Sequence, residues 1–349
     1  MDENTAIVSL DERILITGSN GFIGSRVVGA LLQSGFTNLR CFVRHSSDLN
    51  NLYAVVRNYP EAQVELMEGN LLSREDCAKA ALDVALIYHL AAGIEKSFAG
   101  SFMNCVVTTR NLLDAALVSG RLRRFVNVSS FAVYCNWNIR RGAMLDETCE
   151  LENRPVERAE AYAYAKLKQD ELVVEYANKY GLPHVIVRPG AVYGPGTRSV
   201  TARVGIDTFG VFFHLGGSNQ VPLTYVENCA QAIVLAGTKP GVEGEVFNVV
   251  DDNLPTSRRF LREYKKNGKR FKSIYLPYPI FYFACWIWEK YSTWSQGQLP
   301  PVFNRRRCAT YWKGNKYSNQ KLKDRLGWKP SIPFAEGSKR YFDYVRQMR

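Results

Sequence analysis

Two tyrosine–lysine pairs and two serines carry the chemistry legible in this chain. The stretch AYAYAKLKQDELV sets Tyr162 four residues before Lys166, and Tyr164 four residues before Lys168. Four residues is about one helical turn, so each pair shares a face. The two pairs point roughly 200° apart, and only one can face a common site. A phenol beside an ammonium suits proton transfer at a carbonyl or alcohol oxygen. Unperturbed tyrosine titrates at about 10 and is a poor base near neutrality, and a nearby positive charge is expected to favour its phenolate. The stretch RFVNVSSFAVY ends in a strand pattern followed by Ser129 and Ser130, and a hydroxyl there can orient the reacting oxygen.

Carbonyl–alcohol interconversion also needs a hydride carrier. ILITGSNGFIGSRVVGALLQSG puts Gly18, Gly21 and Gly24 between a strand pattern and an amphipathic helix pattern. Glycines there allow a tight turn and close backbone approach, and the helix N-terminus offers free N–H groups to a pyrophosphate. The spacing is a variant of the dinucleotide fingerprint. A lysine on the proton-transfer face can bind the nicotinamide ribose as well. The second strand pattern, LRCFVRHSSD, ends in Arg44 where NAD-preferring enzymes usually carry an acid. A guanidinium suits the 2′-phosphate of NADP, so NADP is favoured over NAD, with His45, Ser46 and Ser47 as further donors. Asp48 is the nearby acid and comes several residues late.

The elements that must position these groups alternate from residue 13 onward. Strands are expected at Arg13–Thr17, Asn38–Val43, Gln63–Glu68, Leu86–Leu90, Arg124–Ser129, His184–Arg188 and Gly244–Val250. Helices are expected at Ile23–Gln33, Asn104–Val118 and Ala161–Lys179. Val/Ile/Leu-rich strands separated by helices predict an α/β fold with a Rossmann-type, doubly wound parallel sheet buried on both faces. The expected division is a dinucleotide-binding domain at residues 10–190 plus 222–255, and a smaller, mostly C-terminal substrate-binding region at 191–221 plus 256–349.

Together these segments resemble the extended short-chain dehydrogenase/reductase superfamily over about residues 13 to 345. The resemblance runs through the glycine loop, YHLAAG (Tyr88–Gly93), NCVVTTRNLLDAA (Asn104–Ala116), SSFAVY (Ser129–Tyr134), RPGAVYGPG (Arg188–Gly196), TYVENCAQAI (Thr224–Ile233) and LKDRLGWKPSIPFAEG (Leu322–Gly337). It implies Ser130 as the catalytic serine, two residues ahead of Val-Tyr. It selects Tyr162 with Lys166, because Ala165 and Asp170 fit the family's surroundings of that lysine. It further implies that Phe22, Ile23, Asn70, Leu71, Ala91, Ala92, Pro189 and Val192 border the cofactor. Asn70 stands where the family usually has Asp, and Val107 where it usually has Gly.

The resemblance also bears on the substrate. Members acting on nucleotide sugars commonly hold them with an Asn and an Arg, and Ala191 and Val221 stand at those positions. GSNQVPLTYVENCAQA and the later Pro-aromatic block instead resemble 3β-hydroxysteroid dehydrogenase-like and dihydroflavonol reductase-like members. The expectation is therefore a secondary alcohol or ketone on a largely apolar, steroid-like or polycyclic substrate, in a pocket walled by Tyr275, Tyr278, Phe281, Tyr282, Phe283 and Trp286. The alternatives are a nucleotide-sugar epimerase or dehydratase, and a cofactor-sensing regulatory protein on the same fold.

A net charge of +12 raises anionic partners, but no nucleic-acid-binding signature appears and nucleic acid is not expected. The four histidines and eight cysteines lack metal-ligand spacing, so no metal is expected. His89 and His184 read as core residues, and Asp251 and Asp252 as a loop. Dispersed cysteines and an N-terminus, MDENTAIVSLDER, without a signal-peptide apolar stretch point to the cytoplasm. IYLPYPIFYFACWIW (Ile274–Trp288) is too short to cross a bilayer. It either walls the pocket or rests on a membrane, since Lys265, Lys266, Lys269, Arg270 and Lys272 precede it and Arg305 to Arg307 follow. A homodimer is the other partner expected beyond the small-molecule substrate.

Overall fold

A computed structural model describes residues 6–93, 95–197, 200–208, 210–268, 270–296 and 298–348. Lys269, one of the basic residues named above, lies outside them. Seven parallel strands form the central sheet in the order Val246–Val249, His184–Pro189, Arg124–Val128, Leu86–His89, Ile14–Thr17, Asn38–Val43, Gln63–Glu68. The chain reverses direction across the sheet between Ile14–Thr17 and Leu86–His89, and the crevice at their C-terminal ends is where such sheets bind ligands. The expected strands all form, with ends displaced by no more than two residues.

Strand periodicity builds the two apolar layers. Ile14 and Ile16 point into one core with Val126, Val185 and Phe247, while Leu15 joins Ile87 and Phe125 in the other. Helices Gly24–Gln33 and Val226–Thr238 cover the first layer, and Thr108–Ser119 and Ala161–Tyr180 the second. One expectation fails at the rim. Gln63–Glu68 alternates between exposed and half-buried residues, because as the edge strand its side chains are only partly covered. The helix expected over Asn104–Val118 begins with a π-helical turn, Met103–Val107, before Thr108–Ser119. That wider turn sits beside the proton-transfer helix, the kind of place where π-bulges concentrate.

After residue 190 the layers give way to small sheets. Gly205–Thr208 pairs antiparallel with Val211–His214, which pairs parallel with Ser273–Tyr275. Tyr278–Trp294 and Arg305–Trp312 are helices packed on each other, joined in one cluster with Leu215 and Phe213. No helix among the described residues is long and apolar enough to cross a membrane.

Candidate active site

The glycine loop forms a cradle that only glycine permits. Gly18 has φ +69°, and a Cβ there would stand 2.9 Å from the Ala91 amide nitrogen. A Cβ on Gly24 would collide with the Gly18 carbonyl. Above the cradle a cleft of about 450 Å³ is lined by Gly18, Gly21, Arg44, Asn70, Leu71, Ala91 and Ala92, with Asn20, Asn104 and Thr108 among the rest. Seven residues expected from sequence thus meet at one cleft. The other cofactor candidates sit around it. Phe22 packs on Gly196, and the Ile23 side chain packs against the core. Pro189 ends its sheet strand, and Val192 lies in Ala191–Tyr193, paired with Thr224. The cleft and the positive dipole end of the helix Gly24–Gln33 fit a dinucleotide.

At the far end of that cleft, Arg44 is exposed and takes part in no ion pair among the described residues. Asp48 is occupied with its own loop, accepting from the Asn50 amide at 2.9 Å while its carbonyl accepts from Asn20. Elsewhere on the cleft wall, the Asn70 side chain accepts from the Leu72 amide at 3.0 Å. The nearby acid is Asp76, which accepts from the Asn70 amide at 2.8 Å.

The structure separates the two tyrosine–lysine registers. Tyr164 packs edge-on against Phe98, ring centres 5.3 Å apart, and also meets Phe102. Lys168 pairs with Glu171 in solvent. The Ser130 hydroxyl acts on the Tyr162 phenol, and Lys166 is buried on the same helix face as that tyrosine. Ser129 is committed elsewhere, donating to Asp170 at 2.9 Å beside Arg188.

The electrostatics correct one expectation. Burial pushes the Tyr162 phenol above its ordinary value, the neighbouring Ser130 hydroxyl pulls it down, and Cys105, Tyr311 and Glu160 push it further up. Burial also lowers Lys166, whose Nζ donates to the Val128 carbonyl and to Gln169 Oε1, both at 2.8 Å. The ammonium is thus aimed at the strand end and Gln169, and the phenol is held protonated. As it stands it is a proton donor.

A buried polar chain ties this lysine to the glycine loop. Gln169 Nε2 donates to Thr109 Oγ1 at 2.7 Å, His89 Nε2 meets the same hydroxyl at 2.8 Å, and His89 Nδ1 meets Thr17 Oγ1 at 2.8 Å. Thr17 precedes Gly18. Burial, with the Lys166 charge, brings His89 down to about 3, so the imidazole is neutral at physiological pH. Sequence reasoning placed His89 in the core but missed the chain. Gln169, one turn beyond Lys166, was the available signal.

The substrate side was less legible. Glu160 bonds the Tyr311 hydroxyl and pairs with Arg158, which is fully buried and donates to the Ala132 carbonyl. Burial pushes Glu160 up, but Arg158 and Arg307 outweigh it and hold the carboxyl below its ordinary value. Arg203 lies over the Tyr311 and Tyr317 rings. These residues converge from distant segments with no local spacing to announce them. Next to them a cavity of about 240 Å³ is lined by Phe281, Cys285, Phe303, Cys308, Tyr311 and Trp312, among others. Of the six aromatic residues expected to wall a pocket, Phe281 lines this cavity and the other five are not part of its lining. Tyr278 and Tyr282 pack partly buried beside it, whereas Phe283 and Trp286 are exposed because their side of the helix turns outward, and Tyr275, in the strand ahead of the helix, is exposed too. The histidines are dispersed, and no group of potential ligands that could hold a metal occurs among the described residues. Asp251 is a buried clamp accepting from the Tyr225 amide at 2.9 Å.

A parallel sheet with a glycine cradle at its switch point, and a Ser–Tyr–Lys group beside it, defines a nicotinamide-dinucleotide protein of the extended short-chain dehydrogenase/reductase type. The profile of the NAD dependent epimerase/dehydratase family matches residues 14–249, and the chain belongs to that family. It is 29% identical over 258 residues to the trifunctional UDP-glucose 4,6-dehydratase/UDP-4-keto-6-deoxy-D-glucose 3,5-epimerase/UDP-4-keto-L-rhamnose-reductase RHM2 of Arabidopsis thaliana, covering 68% of this chain and 37% of that enzyme. It thus spans little more than a third of that relative. A match to the 3beta-hydroxysteroid-dehydrogenase/decarboxylase isoform 1 of the same plant is 23% identical over 361 residues, covering 96% of this chain and 80% of the relative. The UDP-glucuronic acid 4-epimerase of Bacillus cereus, solved with UDP-glucuronic acid and NAD, superposes with a TM-score of 0.71 at 21% identity, covering 97% of this chain and 100% of that one. At that identity the likeness is one of fold.

Proposed function

We propose that this chain is an NADP-preferring dehydrogenase or ketoreductase interconverting a secondary alcohol and a ketone on a largely apolar substrate. The observation that carries the reading is that the Tyr162 phenol, under the influence of the Ser130 hydroxyl, shares a helix face with Lys166, which is tied to the glycine loop through Gln169, Thr109, His89 and Thr17. The bound nicotinamide supplies or takes up the hydride. In the reducing direction Ser130 holds the carbonyl oxygen and the protonated Tyr162 phenol donates to it. Lys166, fixed by Val128 and Gln169, offers a positive charge to the resulting phenolate and a donor to the ribose. The apolar cavity beside Tyr311 takes a ring-bearing group. It is smaller than the ~300–1,000 Å³ of ordinary ligand pockets, so it holds part of a polycyclic substrate.

Ala191 and Val221 support this reading over a nucleotide sugar, since neither side chain can hydrogen-bond a sugar or diphosphate. Arg203, a buried cation beside Tyr311, is already held by the Thr310 carbonyl and the Tyr317 hydroxyl. The NADP preference rests on Arg44. Fluorescence titration should show tighter binding of NADPH than NADH, and Arg44→Ala should erase about a tenfold or larger part of that ratio, the scale of one charge-assisted hydrogen bond. Equal affinities in the unmutated protein would refute the preference. In the same protein, NADPH consumption should follow added cyclic aryl ketones; turnover of UDP-sugars alone would transfer the assignment to the nucleotide-sugar class.

A further inference from the structure

The helix Tyr278–Trp294 has two apolar faces and only one of them is covered. Its inner face sets Tyr278, Phe281, Cys285 and Ser292 against the helix Arg305–Trp312 and its neighbours. Its outer face carries Ile280, Phe283, Ile287, Tyr291 and Trp294 at separations of three and four residues, one continuous stripe. These side chains are strongly exposed, Phe283 at 59% and Trp294 at 77%. Trp286 stacks on Phe283 and Trp294 on Tyr291, with ring centres 5.5 and 5.6 Å apart, which widens the stripe. Ile274 and Tyr275, in the strand just ahead of the helix, are exposed as well. A helix apolar all round belongs inside a protein or against lipid.

Charge decides between those surroundings. Glu289 is the sole acid in the helix and is neutralised by Arg305 at 2.7 Å, leaving Lys290 exposed. Between Arg258 and Lys272 the chain carries eight Lys or Arg residues against the single Glu263, itself paired with Arg259. Lys266, Arg270 and Lys272 are exposed, and the Arg258 guanidinium lies over the Tyr275 ring. An apolar aromatic stripe flanked by unneutralised cations complements a surface that is apolar within and anionic outside. A second copy of this chain would bring the same cations against each other.

We infer that the outer face of Tyr278–Trp294 seats the protein on an anionic lipid bilayer, the helix lying in the interface with its Phe, Ile and Trp side chains inserted. Seventeen residues at 1.5 Å each span about 26 Å, short of a ~30 Å hydrocarbon core, so the helix rests on the membrane and does not cross it. Its inner face lines the cavity next to Tyr311, which puts that cavity within about one helix diameter, ~10 Å, of lipid.

The test is co-sedimentation of the full chain with vesicles of phosphatidylcholine containing phosphatidylglycerol, at low salt. The unmutated protein should pellet with them. Phe283→Ser/Ile287→Ser should lower the bound fraction by about tenfold or more, since burial of two large side chains is lost. NADPH titration should be unchanged in that variant, which shows that it is folded. Protein that stays in the supernatant, or a double variant that pellets as well as the parent, overturns the inference. So does a dimer in vesicle-free buffer that the double variant converts to monomer, because a second copy would then cover the face. The vesicle assay requires no turnover, so its failure and a failure of the proposed chemistry are separately visible.

Discussion

Two helices of this chain are rich in aromatic side chains and use them in opposite ways. In Ala161–Tyr180, Tyr162 and Tyr164 are both partly covered, and Lys166, Gln169 and Asp170 are buried. In Tyr278–Trp294 only Cys285 and Ser292 are buried, and the larger side chains on one face meet solvent. The first helix is sandwiched between the sheet and the π-turned segment, so each side chain's role follows from which neighbour it meets. The second has a neighbour on one side alone. Aromatic content therefore says little about function until the packing partner is known. Burial turns one tyrosine into an acid and its neighbour into filler, and lack of burial leaves a row of rings for an external partner.

The contrast within the first helix can be broken by substitution. Tyr162→Phe removes the proton donor and should lower NADPH-dependent ketone reduction by about 10²–10⁴-fold, with NADPH affinity little changed. Gln169→Leu is expected to have an intermediate effect. It deletes one acceptor of the Lys166 ammonium, so the lysine, already lowered by burial, falls further. Turnover should drop about tenfold, in line with one hydrogen bond to a charged group, and the limb of the pH profile set by Lys166 should move to lower pH. Gln169→Glu should move that limb the other way; a merely structural role would leave it in place. Tyr164→Phe is the smallest change, because its ring contacts with Phe98 and Phe102 survive loss of the hydroxyl. Activity should stay within about twofold of the parent. A Tyr164→Phe loss as large as that of Tyr162→Phe would erase the distinction between the two faces.

The nucleotide half of the fold was legible because its signals are local. Strand periodicity, the Gly18–Gly21–Gly24 spacing and the strand-ending Ser129–Ser130 each lie within one element and its turn. The choice between the two tyrosines came from a resemblance, and the structure supplies the physical ground, aromatic packing for Tyr164 and the influence of the Ser130 hydroxyl for Tyr162. What stayed illegible depends on distant segments. Glu160 meets Tyr311 across 151 residues and Arg203 meets Tyr317 across 114, and no periodicity predicts such pairs. The expected acidification of the phenol also required knowing where the Lys166 ammonium points. The outward turn of Phe283 and Trp286 was hidden for the same reason, since an apolar run reads alike whether or not anything covers it.

A crystal structure with NADP bound bears most directly on the chemistry. The Tyr162 hydroxyl and Ser130 should face the nicotinamide C4 carbon across a gap that one substrate oxygen bridges, with Lys166 turned to the ribose. A nicotinamide lying against Tyr164, or a Tyr162 hydroxyl directed away from the ring, would contradict it.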